Sequence, residues 1–308
     1  MVGVGGRARP AVLITGCSSG IGEATARHLA ARGHLVYATA RRPESIESLL
    51  TSGCRTLALD VTDESSMRAA VARVEEAEGA VGVLINNAGY SQSGAIEQVP
   101  IEDVRRQFET NVFGLVRMCQ LVLPGMRRHG SGRIVNVSTM GANFVFPGGG
   151  FYHASKYAVE AVSDALRFEV RGFGVRVVVI QPGLIRTRFS DAAVASMGGQ
   201  PSHDGEGTGA PAARAPGATA GGGGFSPYAK FDAALARSTT EVYEKGPLAR
   251  LGGSPQDVAE VIDKAIDARR PRTRYLVTPS ARLLTTQRRL MTDRMWDAML
   301  RTQFPLPK

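Results

Sequence analysis

An apolar run, Ala11-Val12-Leu13-Ile14-Thr15, passes directly into Gly16-Cys17-Ser18-Ser19-Gly20-Ile21-Gly22, and a helical pattern follows through Ala31. This junction limits the fold more than any other stretch. Five apolar residues in a row suit a strand buried on both faces. Gly16 permits a tight turn, Gly20 lets a pyrophosphate approach the backbone, and Gly22 allows the helix to pack closely. The unpaired N–H groups of the first helical turn then face the phosphates.

The same alternation of strand and helix runs on. Strands are expected over His34–Thr39, Arg55–Val61, Val81–Ile85, Arg133–Val137, Val175–Ile180 and Arg274–Val277. Helices are expected over Asp63–Glu78, Pro100–Arg128, Phe151–Arg171, Pro227–Tyr243 and Ser254–Ala268, with Ser254 as cap and Pro255 at the first helical position. A final helix is expected over 280–304, with Leu284, Met291, Met295 and Met299 near one face. Regular alternation implies an α/β fold: one doubly wound, parallel sheet of about seven strands. Residues 198–224 interrupt it. They are rich in Gly, Ala, Pro and Ser and offer little to bury, so they read as a flexible insertion.

Charge narrows the function classes. The chain carries a net charge of +9 over 308 residues, but Lys264–Lys308 holds 11 Lys+Arg against 3 Asp+Glu. The body is nearly neutral and the tail is basic, which does not suit a nucleic-acid-binding domain. The stretch Met1–Pro10 has no apolar segment of the kind a secretory leader needs, and no apolar run is long enough to span a bilayer. Cys17, Cys54 and Cys119 lack metal or disulfide spacing. A reducing, cytoplasmic setting and no metal are the expectation.

Two regions carry chemistry beyond the glycine turn. At the end of the second strand, where a dinucleotide fold places an acid for the ribose 2′-hydroxyl, the chain reads Ala40-Arg41-Arg42. Two guanidinium groups suit a 2′-phosphate instead. Further on, Tyr152 and Lys156 are four residues apart and share a helix face. A phenol titrates near pH 10 and is a poor acid at neutrality. A unit charge about 4 Å away, at an effective dielectric of 20, is worth roughly 4 kcal/mol, on the order of three pKa units. Lys156 can therefore bring Tyr152 into working range for proton transfer.

Taken in order, Thr15-Gly16-x-x-x-Gly20-Ile21-Gly22, Asn86-Asn87-Ala88-Gly89, Asn111, Ser138-Thr139, Tyr152-x-x-x-Lys156 and Pro182-Gly183 closely resemble the short-chain dehydrogenase/reductase family over roughly residues 11–277. The Tyr152 segment and basic tail are more loosely similar to its hydroxysteroid/retinol-dehydrogenase-like branch. The resemblance implies a single Rossmann domain over 1–277 that binds NADP(H), with a basic amphipathic extension over 278–308. It implies that Tyr152 is the general acid/base, that Lys156 lowers its pKa and holds the nicotinamide ribose, and that Asn111 supports a water in the proton relay. Gly16, Ser18, Ser19, Gly20, Ile21 and Gly22 would hold the phosphates, with Arg41 and Arg42 at the 2′-phosphate. Asp60 and Val61 would meet the adenine, and Asn87, Ala88 and Gly89 would line the cofactor. Pro182, Gly183, Ile185 and Thr187 would contact the nicotinamide end. The family's serine usually lies thirteen residues before the tyrosine. That count gives Thr139; a one-residue shift of the loop would select Ser138.

The implied activity is NADP(H)-dependent interconversion of a ketone or aldehyde and an alcohol, that of a carbonyl reductase. Phe144, Phe146, Phe151, Phe189 and Phe231 lie in or near segments bordering the family's substrate cleft, and each is also a core candidate. They favour an apolar substrate, steroid-, retinoid- or polyketide-like. Two other readings stand beside this one. A dinucleotide-binding sensor without turnover usually has a broken Tyr/Lys pair, and here both residues are intact. A membrane-surface reductase would use the basic tail on anionic lipid. Family members are commonly homodimers or homotetramers.

Overall fold

A computed structural model of the chain describes residues 9–187, 227–244, 247–304 and 306. Seven strands form one sheet: β1 (Val12–Ile14), β2 (Val36–Ala40), β3 (Arg55–Ala58), β4 (Val83–Asn86), β5 (Gly132–Val137), β6 (Val175–Gln181) and β7 (Arg274–Leu276). Their order is β3-β2-β1-β4-β5-β6-β7, and every pair is parallel. The expected doubly wound sheet is therefore present.

Alternation along each strand supplies two cores. On one face Val12, Ile14, Val36, Val83, Ile85 and Val178 meet α1 (Gly20–Ala31) and the helix Pro255–Asp267. On the other, Leu13, Leu84, Ile134, Val175 and Val177 meet α2 (Glu64–Glu78) and the helices holding Leu115, Met118 and Val159. Both faces are covered, which is why the strands read as unbroken apolar runs. Asp263 clamps the first layer: the Nε2 atoms of His28 and His34 each lie 3.1 Å from its carboxylate.

Four elements depart from the sequence reading. The third strand stops at Ala58, short of the expected Val61. The expected long helix after Pro100 is α3 (Ile101–Phe108), a π turn (Glu109–Phe113) and α4 (Gly114–Arg128). The π turn contains Asn111, whose buried amide is held by hydrogen bonds to Tyr90. The chain continues through α5 (Gly150–Glu169), α6 (Ala229–Glu244) and α7 (Pro255–Asp267). The expected C-terminal helix is two helices, α8 (Pro279–Leu290) and α9 (Asp293–Gln303). They separate where Met291 is extended and Thr292 caps α9 through Met295 N. The break turns Met295 outward, to 52% exposed, and seats Trp296 in the core at 5%. A 3-10 helix over Pro43–Ser52 was not expected; it packs Ile46 and Leu49 beneath β2.

The caps follow the sequence. Asp63 accepts from Ser65 N and Ser66 N, and Ser254 forms a capping box with Asp257. All three cysteines are buried free thiols. Burial pushes the Cys17 and Cys119 thiols up to about 12. The glycine-rich insertion at 198–224 lies outside the described residues.

Candidate active site

The chain runs out along the sheet from β1 to β3, then returns to start β4 on the other side of β1. Loops leaving β1 and β4 diverge there and leave a crevice at the strands' C-terminal ends. A cavity of about 700 Å³ occupies it.

The glycine turn forms one end. Gly16 (φ +73°) and Gly20 (φ +63°) adopt left-handed backbone that favours glycine. A Cβ on Gly16 would lie 2.8 Å from Ala88 Cα, and one on Gly22 would fall on the Gly16 carbonyl oxygen. Asn87 locks the turn, donating through Nδ2 to Thr15 O (3.0 Å) and Gly16 O (2.8 Å). Thr15 Oγ1 in turn accepts from Asn87 N and Ala88 N, both at 3.0 Å. Ser18, Ser19, Gly20 and Ile21 face the cavity, whereas Gly22 lies behind the turn as a packing residue. Arg41, Asp60, Val61, Asn87, Ala88 and Gly89 continue the wall. Arg41 makes no ion pair among the described residues. Arg42 is not on the wall; it is the N-cap of the 3-10 helix Pro43–Ser52, and its carbonyl accepts from Ser45 N.

The other predicted residues lie farther along the same cavity. Tyr152 and Lys156 face it from the first two turns of α5, Ser138 and Thr139 from the end of β5, and Pro182, Gly183, Ile185 and Thr187 from beyond β6. Lys156 is buried, and its Nζ donates to Val137 O at 2.9 Å. Burial pulls this ammonium down to about 8, opposed by the Glu160 charge. Asn111 stands behind the wall. Its Nδ2 donates to Ser155 Oγ at 3.0 Å, and that hydroxyl donates to Tyr152 O at 2.7 Å. The side chain thus braces α5.

Ser138 and Thr139 differ in their surroundings. Ser138 Oγ is sealed from solvent and has no hydrogen-bond partner. Thr139 is half-buried on the wall, and its Oγ1 accepts from Gly141 N at 3.2 Å.

Several wall residues had not been singled out. Tyr90, Arg106, Glu109 and Thr110 line the cavity near the glycine end. The spacing of Arg106 and Thr110, one helical turn apart and just before Asn111, was the available signal. His153 is buried beside Tyr152, their ring centroids 5.7 Å apart, and it hydrogen-bonds Gly141 O at 2.7 Å. Burial pushes its pKa down. Beyond Tyr152 the wall turns apolar, with Phe144, Phe146, Leu184, Leu284, Met299 and Phe304. Of the five phenylalanines considered, Phe144 and Phe146 are on the wall. Phe151 is half-buried away from it, Phe231 packs with Ala95 and Leu235, and Phe189 lies outside the described residues.

Residues 10–197 match the model of the short chain dehydrogenase family. The chain belongs to that family. It is 46% identical over 181 residues to a 3-ketodihydrosphingosine reductase of Bacteroides thetaiotaomicron, a match covering 58% of this chain and 65% of that one. The chain thus spans just under two thirds of that relative. It is 32% identical over 294 residues to an NADPH-dependent 3-dehydrocapnine reductase of Ornithobacterium rhinotracheale, covering 92% and 94%. A crystal structure of a short-chain dehydrogenase from Streptomyces avermitilis superposes with a TM-score of 0.72 at 29% identity, covering 96% and 99%. The chain is therefore an oxidoreductase of this family, which uses a nicotinamide dinucleotide. Its glycine turn is closely packed, Gly16 against Ala88 and Gly22 against the Gly16 carbonyl, at positions a Cβ would block, as the phosphate-binding turn of such a fold needs.

Proposed function

We propose that this oxidoreductase uses NADP(H) to interconvert an apolar ketone and its alcohol. The observation that carries the reading is one continuous cavity. It joins Arg41 and the glycine turn, through Tyr152 and Lys156, to an apolar end. Two relatives supply context: both are reductases whose names specify 3-keto or 3-dehydro compounds, and one is named NADPH-dependent.

In this reading Ser18, Ser19 and the start of α1 hold the pyrophosphate, and Arg41 meets the 2′-phosphate. Asp60 and Val61 border the adenine. Lys156 holds the nicotinamide ribose, with Pro182, Gly183, Ile185 and Thr187 around the ring. When bound, the dinucleotide supplies or takes up a hydride. Thr139 donates a hydrogen bond to the substrate oxygen, and Tyr152 gives that oxygen its proton. Ser138 and Thr139 both line the cavity, and the thirteen-residue count back from Tyr152 selects Thr139 for that contact. The apolar wall excludes water and holds a hydrocarbon body by burial.

The outer face of α5 supports a homodimer. Tyr157 (42% exposed) and Phe168 (84%) share it with exposed Ala154, Ala161 and Ala165. Among the described residues no helix is long and apolar enough to cross a membrane. A cytoplasmic setting belongs to the proposal.

The test is NADPH consumption against a panel of apolar ketones, sugars and keto acids, with Tyr152→Phe as control. Tyr152→Phe should reduce kcat by about 10²–10⁴-fold and leave NADPH affinity nearly intact. A wild-type preference for NADH, or for charged keto acids, would refute the reading.

A further inference from the structure

Lys156 is not the last charged group on its face of α5. Glu160 follows one turn on, and Asp164 one turn after that. Glu160 is buried, at 7% exposed. Its Oε1 accepts from Gln181 Nε2 and its Oε2 from Arg274 Nε, each at 2.8 Å. Arg274 also donates to Asp164 Oδ2 at 2.6 Å, and Arg167 donates to Asp164 Oδ1 at 2.5 Å. Gln181 ends β6, directly before Pro182 and Gly183, and Arg274 opens β7.

Burying a carboxylate is costly unless it is paired and hydrogen-bonded. Glu160 meets that condition, but it shares its arginine with Asp164, so its charge is only partly cancelled. The groups facing Lys156 are few. By helix spacing Tyr152 and Glu160 flank it on α5, one turn to either side; the Val137 carbonyl of β5 accepts from it, and the Gly89 backbone beyond β4 lies near it with the Asn111 amide oxygen alongside. Among these, Glu160 is the carboxylate.

We propose that Glu160 is a positioning residue for the nicotinamide end. Its buried carboxylate keeps Lys156 an ammonium and ties α5 to the strand end that carries Pro182 and Gly183. The inference rests on the cofactor role proposed for Lys156. Burial drives that ammonium toward the neutral amine, and Glu160 resists it. Without Glu160, Lys156 should lose its proton at a lower pH, and its hold on the ribose with it.

The experiment measures NADPH affinity by fluorescence titration across the alkaline range. All variants carry Tyr152→Phe, so that the phenol does not titrate. In this parent, affinity should fall as pH passes about 8. Glu160→Gln should move that break down by at least about half a pH unit. Gln181→Met cuts the same tie without changing charge, so it should leave the break in place. An unmoved break in Glu160→Gln, or an equal shift in Gln181→Met, overturns the proposal. Should Glu160→Gln fail to fold, Arg274→Gln serves instead. It leaves Glu160 less neutralised and should move the break up; an unmoved or lowered break overturns the proposal. Absence of NADPH binding at every pH would overturn the cofactor reading as well, whereas binding with an unmoved break overturns this inference alone.

Discussion

The two ends of the cavity are built by different means. The glycine end is made of backbone. Gly16, Gly20 and Gly22 lie within seven residues, and Thr15 and Asn87 bolt that turn to the end of β4. The apolar end is made of side chains from distant segments. Phe144 and Phe146 come from the loop after β5, Leu284 from α8 and Met299 from α9, and Trp296 of α9 packs with them in the same core cluster off the wall. Phe144 lies 5.2 Å from Phe146 and 5.5 Å from Trp296 between ring centroids. Close backbone approach accepts one residue type at each position. An apolar wall accepts any side chain of about the right volume. The first end should therefore be brittle and the second tolerant.

The largest expected effect is at Gly22. An added methyl would meet the Gly16 carbonyl, which Asn87 holds in place, so the turn must shift. Overpacking of this kind costs about 1–3 kcal/mol or more. Gly22→Ala should lower Tm and abolish measurable NADPH binding by titration. Wild-type affinity in that variant would show that the backbone cradle is not brittle.

Between the two ends sits the hydroxyl pair. Thr139→Ala should lower kcat about 10²-fold, the usual cost of a positioned donor. If the thirteen-residue count holds, Ser138 is not the donor, so Ser138→Ala should leave kcat near wild type; its buried Oγ has no partner among the described residues, so stability should change by no more than about 1 kcal/mol. The reverse order in steady-state kinetics would place the substrate oxygen at Ser138.

This contrast also explains what could be read from the sequence. The glycine turn, Asn87, Lys156 and Tyr152 were legible because each answers a local demand: a turn, a close approach, or one shared helix face. The parallel sheet was legible from unbroken apolar runs such as Val12–Ile14. The split of the C-terminal segment was not. Its break depends on Thr292 capping a new helix so that Trp296 can reach Phe144, which lies about 150 residues away in sequence. The π turn at Asn111 was hidden for a similar reason, since its amide is held by Tyr90 from another loop. Arg42 was paired with Arg41 as a second guanidinium for a 2′-phosphate, and of the two only Arg41 lines the cavity.

A smaller effect sharpens the comparison at the adenosine edge. Arg41 is exposed and acts through charge and hydrogen bonding, with no packing role in either core. Losing one charge-assisted contact costs roughly 1.5–3 kcal/mol, or about 10–100-fold in affinity. Arg41→Ala should weaken NADPH by that factor and leave NADH binding and Tm unchanged. Equal losses for both coenzymes would deny Arg41 a role in choosing between them.

The smallest expected effect belongs to the apolar end, at Met299. Its side chain is partly buried against the cluster of Phe144, Leu284 and Trp296, and its sulfur accepts from Gln287 Nε2 at 3.5 Å. Truncation removes a flexible side chain from a wall whose aromatic neighbours remain. Each buried methylene is worth about 0.8 kcal/mol, and a partly exposed position realises only a share of that. Met299→Ala should therefore raise KM for an apolar ketone by about 3–10-fold, with kcat and NADPH affinity close to wild type. The change should grow with the hydrocarbon length of the ketone, because longer substrates lose more contact area at this wall. Equal changes in KM and NADPH affinity would show that the two ends respond as one unit. A KM change independent of chain length would mean that the hydrocarbon does not lie against α9.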